Sequence, residues 1–167
     1  ICINAHIDEE CNDDLSGCVV AVELMRYIES IQERQYSYQM ILSPEMIGTL
    51  FYVYSNTKKC EDTIGMLNLE VLGEGEDLCL KKALTKDSKI EKVLRQAMKG
   101  SNLPFKEIDF FEGYGNDERI YEWPTISIPG VALQRFPFAQ YHTSDDTPEI
   151  IKKEYLMQAL EICERFV

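Results

Sequence analysis

The chain has 167 residues, with 17 basic and 29 acidic side chains and a formal charge of −12. Hydrophobic residues make up 45% and charged residues 28%, a globular composition sufficient for one domain with a sizeable core and unlike that of a disordered chain. The acidic excess counts against a nucleic-acid phosphate binder, and no apolar run approaches the roughly 20 residues that span a bilayer.

In chain order, Ile1-Cys2-Ile3-Asn4-Ala5-His6 lacks an initiator methionine and reads as a buried strand already under way. The chain is therefore expected to be the C-terminal part of a larger domain whose N-terminal portion is missing. The loop from His6 to Asp14 carries five carboxylates, and apolar residues at Leu15, Val19, Val22, Met25, Ile28 and Ile31 then recur at helical spacing. Tyr36–Leu42 reads as a strand, with Pro44 opening a helix to about Tyr54. Ile64–Leu72 and Asp77–Lys82 read as strands around the Gly73-Glu74-Gly75 turn. Lys89–Lys99 is an amphipathic helix closed by Gly100.

Phe105–Phe110 follows as a strand, Gly113–Trp123 as a loop, and Thr125–Ile128 and Val131–Gln134 as short strands. The last helix runs from about Thr147 to the end. Strands alternating with helices predict an α/β fold, one domain over 1–167, with a mixed, largely parallel central sheet flanked by helices. In such sheets ligands bind beyond the carboxyl ends of strands. Six cysteines without a CxxC pair read as reduced and mostly buried, which suits a cytoplasmic protein.

The two histidines, His6 and His142, are far apart in sequence, and each stands beside carboxylates. In His6-Ile7-Asp8 the carboxylate can fix the tautomer of a metal-binding imidazole. His142 lies in Tyr141-His142-Thr143-Ser144-Asp145-Asp146-Thr147. Glu45 follows Pro44 at a strand-to-helix junction; Asp117 and Glu118 sit in Gly113-Tyr114-Gly115-Asn116-Asp117-Glu118-Arg119. Each has a plainer reading, as a surface histidine, a first-turn helix acid or a solvated loop acid. Together, two histidines with three or four carboxylates form the ligand set expected for a pair of Zn²⁺ ions with open positions. Cys11, inside the acidic loop, could add a thiolate.

The ordered string HxD, NDDLSG, Glu45, Asp117 and YHTSDDT resembles the co-catalytic zinc aminopeptidase family. More closely, Pro44-Glu45-Met46-Ile47-Gly48-Thr49 and Tyr114-Gly115-Asn116-Asp117-Glu118-Arg119 resemble segments of the aminopeptidase-like domain of poorly characterised bacterial proteins. The resemblance implies a zinc-peptidase-like sandwich and one or two Zn²⁺ ions. His6, Asp13, Asp117, Glu45 and His142 would be ligands, Asp13 bridging and Asp8 orienting His6. The family's two adjacent glutamates are reduced here to Glu45, flanked by Pro44 and Met46. Either Glu45 is a ligand and the base is Glu118, or Glu45 is the base. Tyr114 and Tyr141 are candidate substrate contacts.

The implied activity is zinc-dependent hydrolysis by an aminopeptidase, with a peptide or small amide as partner and neither nucleic acid nor membrane. Self-association is left open. The alternatives are a zinc amidohydrolase acting on a non-peptide amide, and a binding or scaffold module that kept the fold and lost catalysis.

Overall fold

The computed structural model describes residues 1–167. Its strands are β1 (Cys2–His6), β2 (Gln39–Ser43), β3 (Met66–Glu70), β4 (Asp77–Lys81), β5 (Lys106–Ile108) and β6 (Gly130–Phe136). Its helices are α1 (Ser16–Ser30), α2 (Ile47–Ser55), α3 (Thr57–Glu61), α4 (Lys89–Gly100), α5 (Glu118–Tyr121) and α6 (Lys153–Phe166). The strands form one sheet in the order β2-β1-β3-β6-β4-β5, parallel throughout except where β4 meets β6. This is the mixed, largely parallel sheet that the alternating pattern predicts.

β1 and β3 are buried along their whole length, as central strands covered on both faces must be. On one face Ile3, Leu67, Leu80 and Leu133 pack with α1, α4 and α6 through Leu24, Leu94 and Ile162. On the other, Cys2 and Met66 pack with Val53 of α2 and Tyr121 of α5. In α1 the buried stripe runs through Gly17, Val20, Ala21, Leu24 and Ile28, while Leu15 and Val19, expected inside, are exposed. Gly17 sets this rotation: a Cβ there would stand 2.5 Å from the Leu69 carbonyl oxygen and the Asp14 carboxylate, so only glycine lets the helix sit this close to β3.

Beyond strand and helix ends that shift by up to three residues, four segments differ from the sequence expectation. Pro44 does not open α2, because Met46 has φ 54° and its N–H is held by Asp117 Oδ1 at 2.7 Å, so residues 44–46 form a loop. The segment 113–123 contains the short helix α5. Thr125–Ile128 is a turn, since the N–H groups of Ile126 and Ser127 both donate to the Trp123 carbonyl at 2.8 Å; β6 is therefore a single strand. The last helix begins at Lys153, after a separate 3₁₀ turn at Pro148–Ile150.

Candidate metal centre

The chemistry gathers where β1 and β3 end. Asn4 pairs in register with Asn68, and two residues further along each strand stand His6 and Glu70, the last residues of β1 and β3. Sheet pairing thus sets an imidazole beside a carboxylate at the carboxyl edge. Both are buried, at 1% exposure each.

The acidic loop after β1 folds over this pair through a dense polar frame. Asp14 accepts from the N–H groups of Gly17 and Val71, each at 3.0 Å, tying the loop to the start of α1 and the end of β3. Asn12 accepts from Gly73 and Glu74, and Ser16 accepts from Leu72 N while donating to the Asn12 carbonyl. Asp146 accepts from the backbone N–H of both Asn12 and Asp13, at 2.8 and 3.0 Å. Everything around Asp13 is fixed, and its carboxylate is left for the site.

That carboxylate lies between the two histidines. Asp13 Oδ1 is 3.1 Å from His6 Nε2, and Oδ2 is 3.0 Å from His142 Nε2. His6 Nδ1 meets Asp8 Oδ1 at 3.1 Å, the orienting contact expected from the HxD spacing. Glu70 Oε1 stands 3.9 Å from His6 Nε2, while its other oxygen accepts from Asn68 Nδ2 at 2.9 Å and from Asn116 Nδ2. Two buried amides therefore pin one oxygen of Glu70 and leave the other facing His6. His142, with φ 54°, stacks on Tyr141, which stacks on Tyr114 at 4.2 Å.

The electrostatics follow from burial in a nest of carboxylates. Burial alone would lower the His6 pKa, but the adjacent Asp13, with the charges of Asp14 and Glu70, raises it to about 10. Burial pushes Asp14 and Glu70 well above the usual carboxylate range. Glu45, half-buried, is raised by burial and further by Asp117, Asp13 and Asp8, against the lowering effect of His6.

The structure brings together His6, Asp8, Asp13 and His142, with Glu45 close enough for its pKa to respond to them. Asp117 and Glu118 are engaged elsewhere. Asp117 accepts from Asn4 Nδ2 at 2.6 Å and from Met46 N; Glu118 Oε1 pairs with the buried Lys81 ammonium at 2.7 Å. Tyr114 is buried, its hydroxyl accepting from Phe138 N at 2.7 Å. Glu70 was not singled out in the sequence. The available signal was alternation within β3: Asn68 and Glu70, two apart, are polar residues in an otherwise apolar strand. Cys11 lies outside the group that converges here.

Do these residues suit a metal ion? His6 Nε2 and both carboxylate oxygens of Asp13 are buried and have only each other and the His142 ring within reach, at 3.0–3.1 Å and without hydrogen-bond alignment, a poorly satisfied arrangement for buried polar atoms. One ligand atom each from His6, Asp13 and Glu70 lies within 4.8 Å of the others. A mixed imidazole and carboxylate set of this kind suits Zn²⁺. The fit is good. Above it opens a cleft of about 340 Å³ lined by polar residues alone, among them Glu9, Glu10, Asp13 and His142.

The family described as a domain of unknown function, DUF4910, matches residues 1–167. The chain belongs to the DUF4910 family. A protein of Clostridium acetobutylicum, named as a candidate polysaccharide biosynthesis protein with an aminopeptidase-like domain, is 28% identical over 148 residues, which are 87% of this chain and 34% of that protein. The crystal structure of a candidate peptidase from the same organism superposes with a TM-score of 0.91 at 24% identity, covering 99% of this chain and 40% of the other. A zinc aminopeptidase from Bacillus subtilis superposes with a TM-score of 0.84 at 19% identity, covering 99% of this chain and 44% of the other.

This DUF4910 chain therefore has the aminopeptidase fold that its motifs resemble. It spans less than half the length of these relatives. No helix is long and apolar enough to cross a membrane. All six cysteines are free thiols.

Proposed function

We propose that this DUF4910 chain carries the metal-holding part of a zinc-dependent hydrolase, an aminopeptidase that releases N-terminal residues from peptides. The observation that carries the reading is the convergence of the buried His6 Nε2 and Asp13 oxygens with Glu70, atoms without aligned hydrogen bonds, closed on the far side by His142. His6, Asp13, Glu70 and His142 would hold one or two zinc ions, with Asp13 facing both histidines. When bound, zinc supplies Lewis-acid polarisation of a carbonyl and lowers the pKa of water.

The remaining roles belong to side chains. Asp8 holds the His6 ring in one tautomer. Glu45 is the proposed general base and acid, taking a proton from water and returning it to the leaving amine; its raised pKa moves it towards the range that such a role needs. Asp117 supports it from behind by holding Met46 N, so that the loop carrying Glu45 keeps its place. Glu118 serves the interior by balancing Lys81. Tyr141 and Tyr114 back His142 and wall the site.

Turnover of aminoacyl-p-nitroanilides by the zinc-loaded chain tests the reading. It predicts release of nitroaniline that a chelator abolishes and added zinc restores. Absence of turnover in a chain shown to contain zinc would contradict it. A second reading, hydrolysis of a non-peptide amide such as an acylated amino sugar, is favoured by the wholly polar lining of the cleft. The relative's name, which couples such a domain to polysaccharide biosynthesis, points the same way. Release of acetate from N-acetylated amino sugars, with anilides inert, would select it.

A further inference from the structure

A separate cation is buried away from the metal centre. Arg135 on β6 is 5% exposed, yet it makes no ion pair with any carboxylate of this acidic chain. Its guanidinium stacks on the Tyr155 ring at 3.5 Å, and Nη2 donates to Gln158 Oε1 at 2.7 Å. Nε has no partner. Of the nearby acids, Glu74 pairs with Lys152 and Asp77 with Lys106, while Glu76 and Glu154 stay more than 4.0 Å from the guanidinium. A cation–π contact and one neutral hydrogen bond offset only part of the cost of burying a guanidinium.

Arg135 lines a groove of about 400 Å³ between α6 and the strands β4 and β5. Leu78, Leu103, Pro104 and Phe105 give it an apolar wall, Tyr155 and Gln158 stand beside the cation, and Glu76 and the Asp77–Lys106 ion pair complete the lining. That volume lies in the range of small-molecule sites, and an apolar wall beside a few fixed polar groups is typical of them. The guanidinium is held on one face by the tyrosine; Nη2 is bonded to Gln158 and Nε is buried, which leaves Nη1, without a hydrogen-bond partner, to meet an anion.

We propose that this groove is a binding site for a small organic carboxylate with an apolar body, anchored on Arg135 and independent of the metal centre. The carboxylate supplies the counter-charge that the fold does not, and the apolar body covers Leu103 and Phe105.

The test is NMR titration of the ¹⁵N-labelled, zinc-loaded chain with phenylacetate, alongside neutral phenylacetamide and inorganic phosphate. Saturable shifts at residues 103–106 and 155–158, with phenylacetamide and phosphate at least tenfold weaker, are expected. Arg135→Gln should weaken binding by at least tenfold. Should that variant fail to fold, Gln158→Glu keeps the cation and offers it an internal carboxylate, and should suppress phenylacetate binding equally. Unchanged affinity in Gln158→Glu overturns the proposal, as do shifts confined to the His6–Asp13 loop or equal binding of the amide. Equal binding of phosphate overturns the claim that the apolar body is recognised.

Discussion

Asp13 and His142, 129 residues apart in the chain, meet at 3.0 Å through Oδ2 and Nε2, while the other oxygen of Asp13 faces His6 at 3.1 Å. One carboxylate thus addresses two imidazoles that come from opposite ends of the sequence. Neither histidine is beside the other without it. Asp146 holds the backbone of Asp13, and Asp14 anchors the loop to α1 and β3, so the geometry belongs to the fold and not to one flexible side chain.

The amides behind Glu70 should tune metal affinity. Asn116→Ala removes one of the two donors that fix its orientation and is expected to weaken zinc binding by about 10- to 100-fold, the usual scale for an outer-shell partner of a metal ligand. Competition titration against a zinc-sensitive dye reads this directly. An unchanged affinity would remove Glu70 from the ligand set.

Glu45 and Glu118 can be told apart by which quantity their variants change. Glu45→Gln should lower kcat by about 10²- to 10⁴-fold, the usual contribution of a general acid–base, while leaving zinc content unaltered. A loss of zinc instead would make Glu45 a ligand.

Glu118→Gln should act on stability. Lys81 is fully buried and pairs with Glu118 Oε1 at 2.7 Å, so neutralising the acid leaves a buried charge uncompensated at a cost of about 3–5 kcal/mol. Denaturant unfolding measures it, and replacing Lys81 by Met in the same chain should recover much of the loss.

The acidity of this region dictates a pH dependence in the metal-free chain. His6 has its pKa raised from 6.5 to about 10, so between those values the folded chain holds a proton that the unfolded chain releases. Its contribution is complete below about pH 6.5 and is lost as the pH rises towards about 10. Asp14 and Glu70, also shifted upward, have the same sign. The melting temperature in chelator should therefore fall as the pH rises from neutral. Zinc, which must displace the His6 proton, should reverse the trend by binding more tightly at higher pH. A flat profile in chelator would contradict the assigned proton balance.

Much of this was legible in the sequence, for identifiable reasons. The alternation of apolar strands with amphipathic helices gives the sheet, and the HxD spacing gives the contact between His6 and Asp8, because both are local. Glu70 was hidden because it sits in an apolar strand, and its place beside His6 exists only through the register of β1 with β3. Asp117 and Glu118, adjacent on a glycine-containing loop, look alike in sequence. Their partners Asn4 and Lys81 come from β1 and β4, and only the fold brings them there. The break at Met46 had the same origin, since the carboxylate that holds its N–H belongs to Asp117, 71 residues away.

Calorimetric titration of the metal-free chain with zinc, beside its Asp13→Asn variant, reads whether Asp13 holds the metal centre together. The chain should bind one to two equivalents of zinc, with melting raised accordingly, and Asp13→Asn should lose both effects. At a hundredfold excess over Kd the stabilisation should be about 2.7 kcal/mol. Zinc binding of equal affinity in chain and variant, or none in either, would contradict a metal centre built on Asp13.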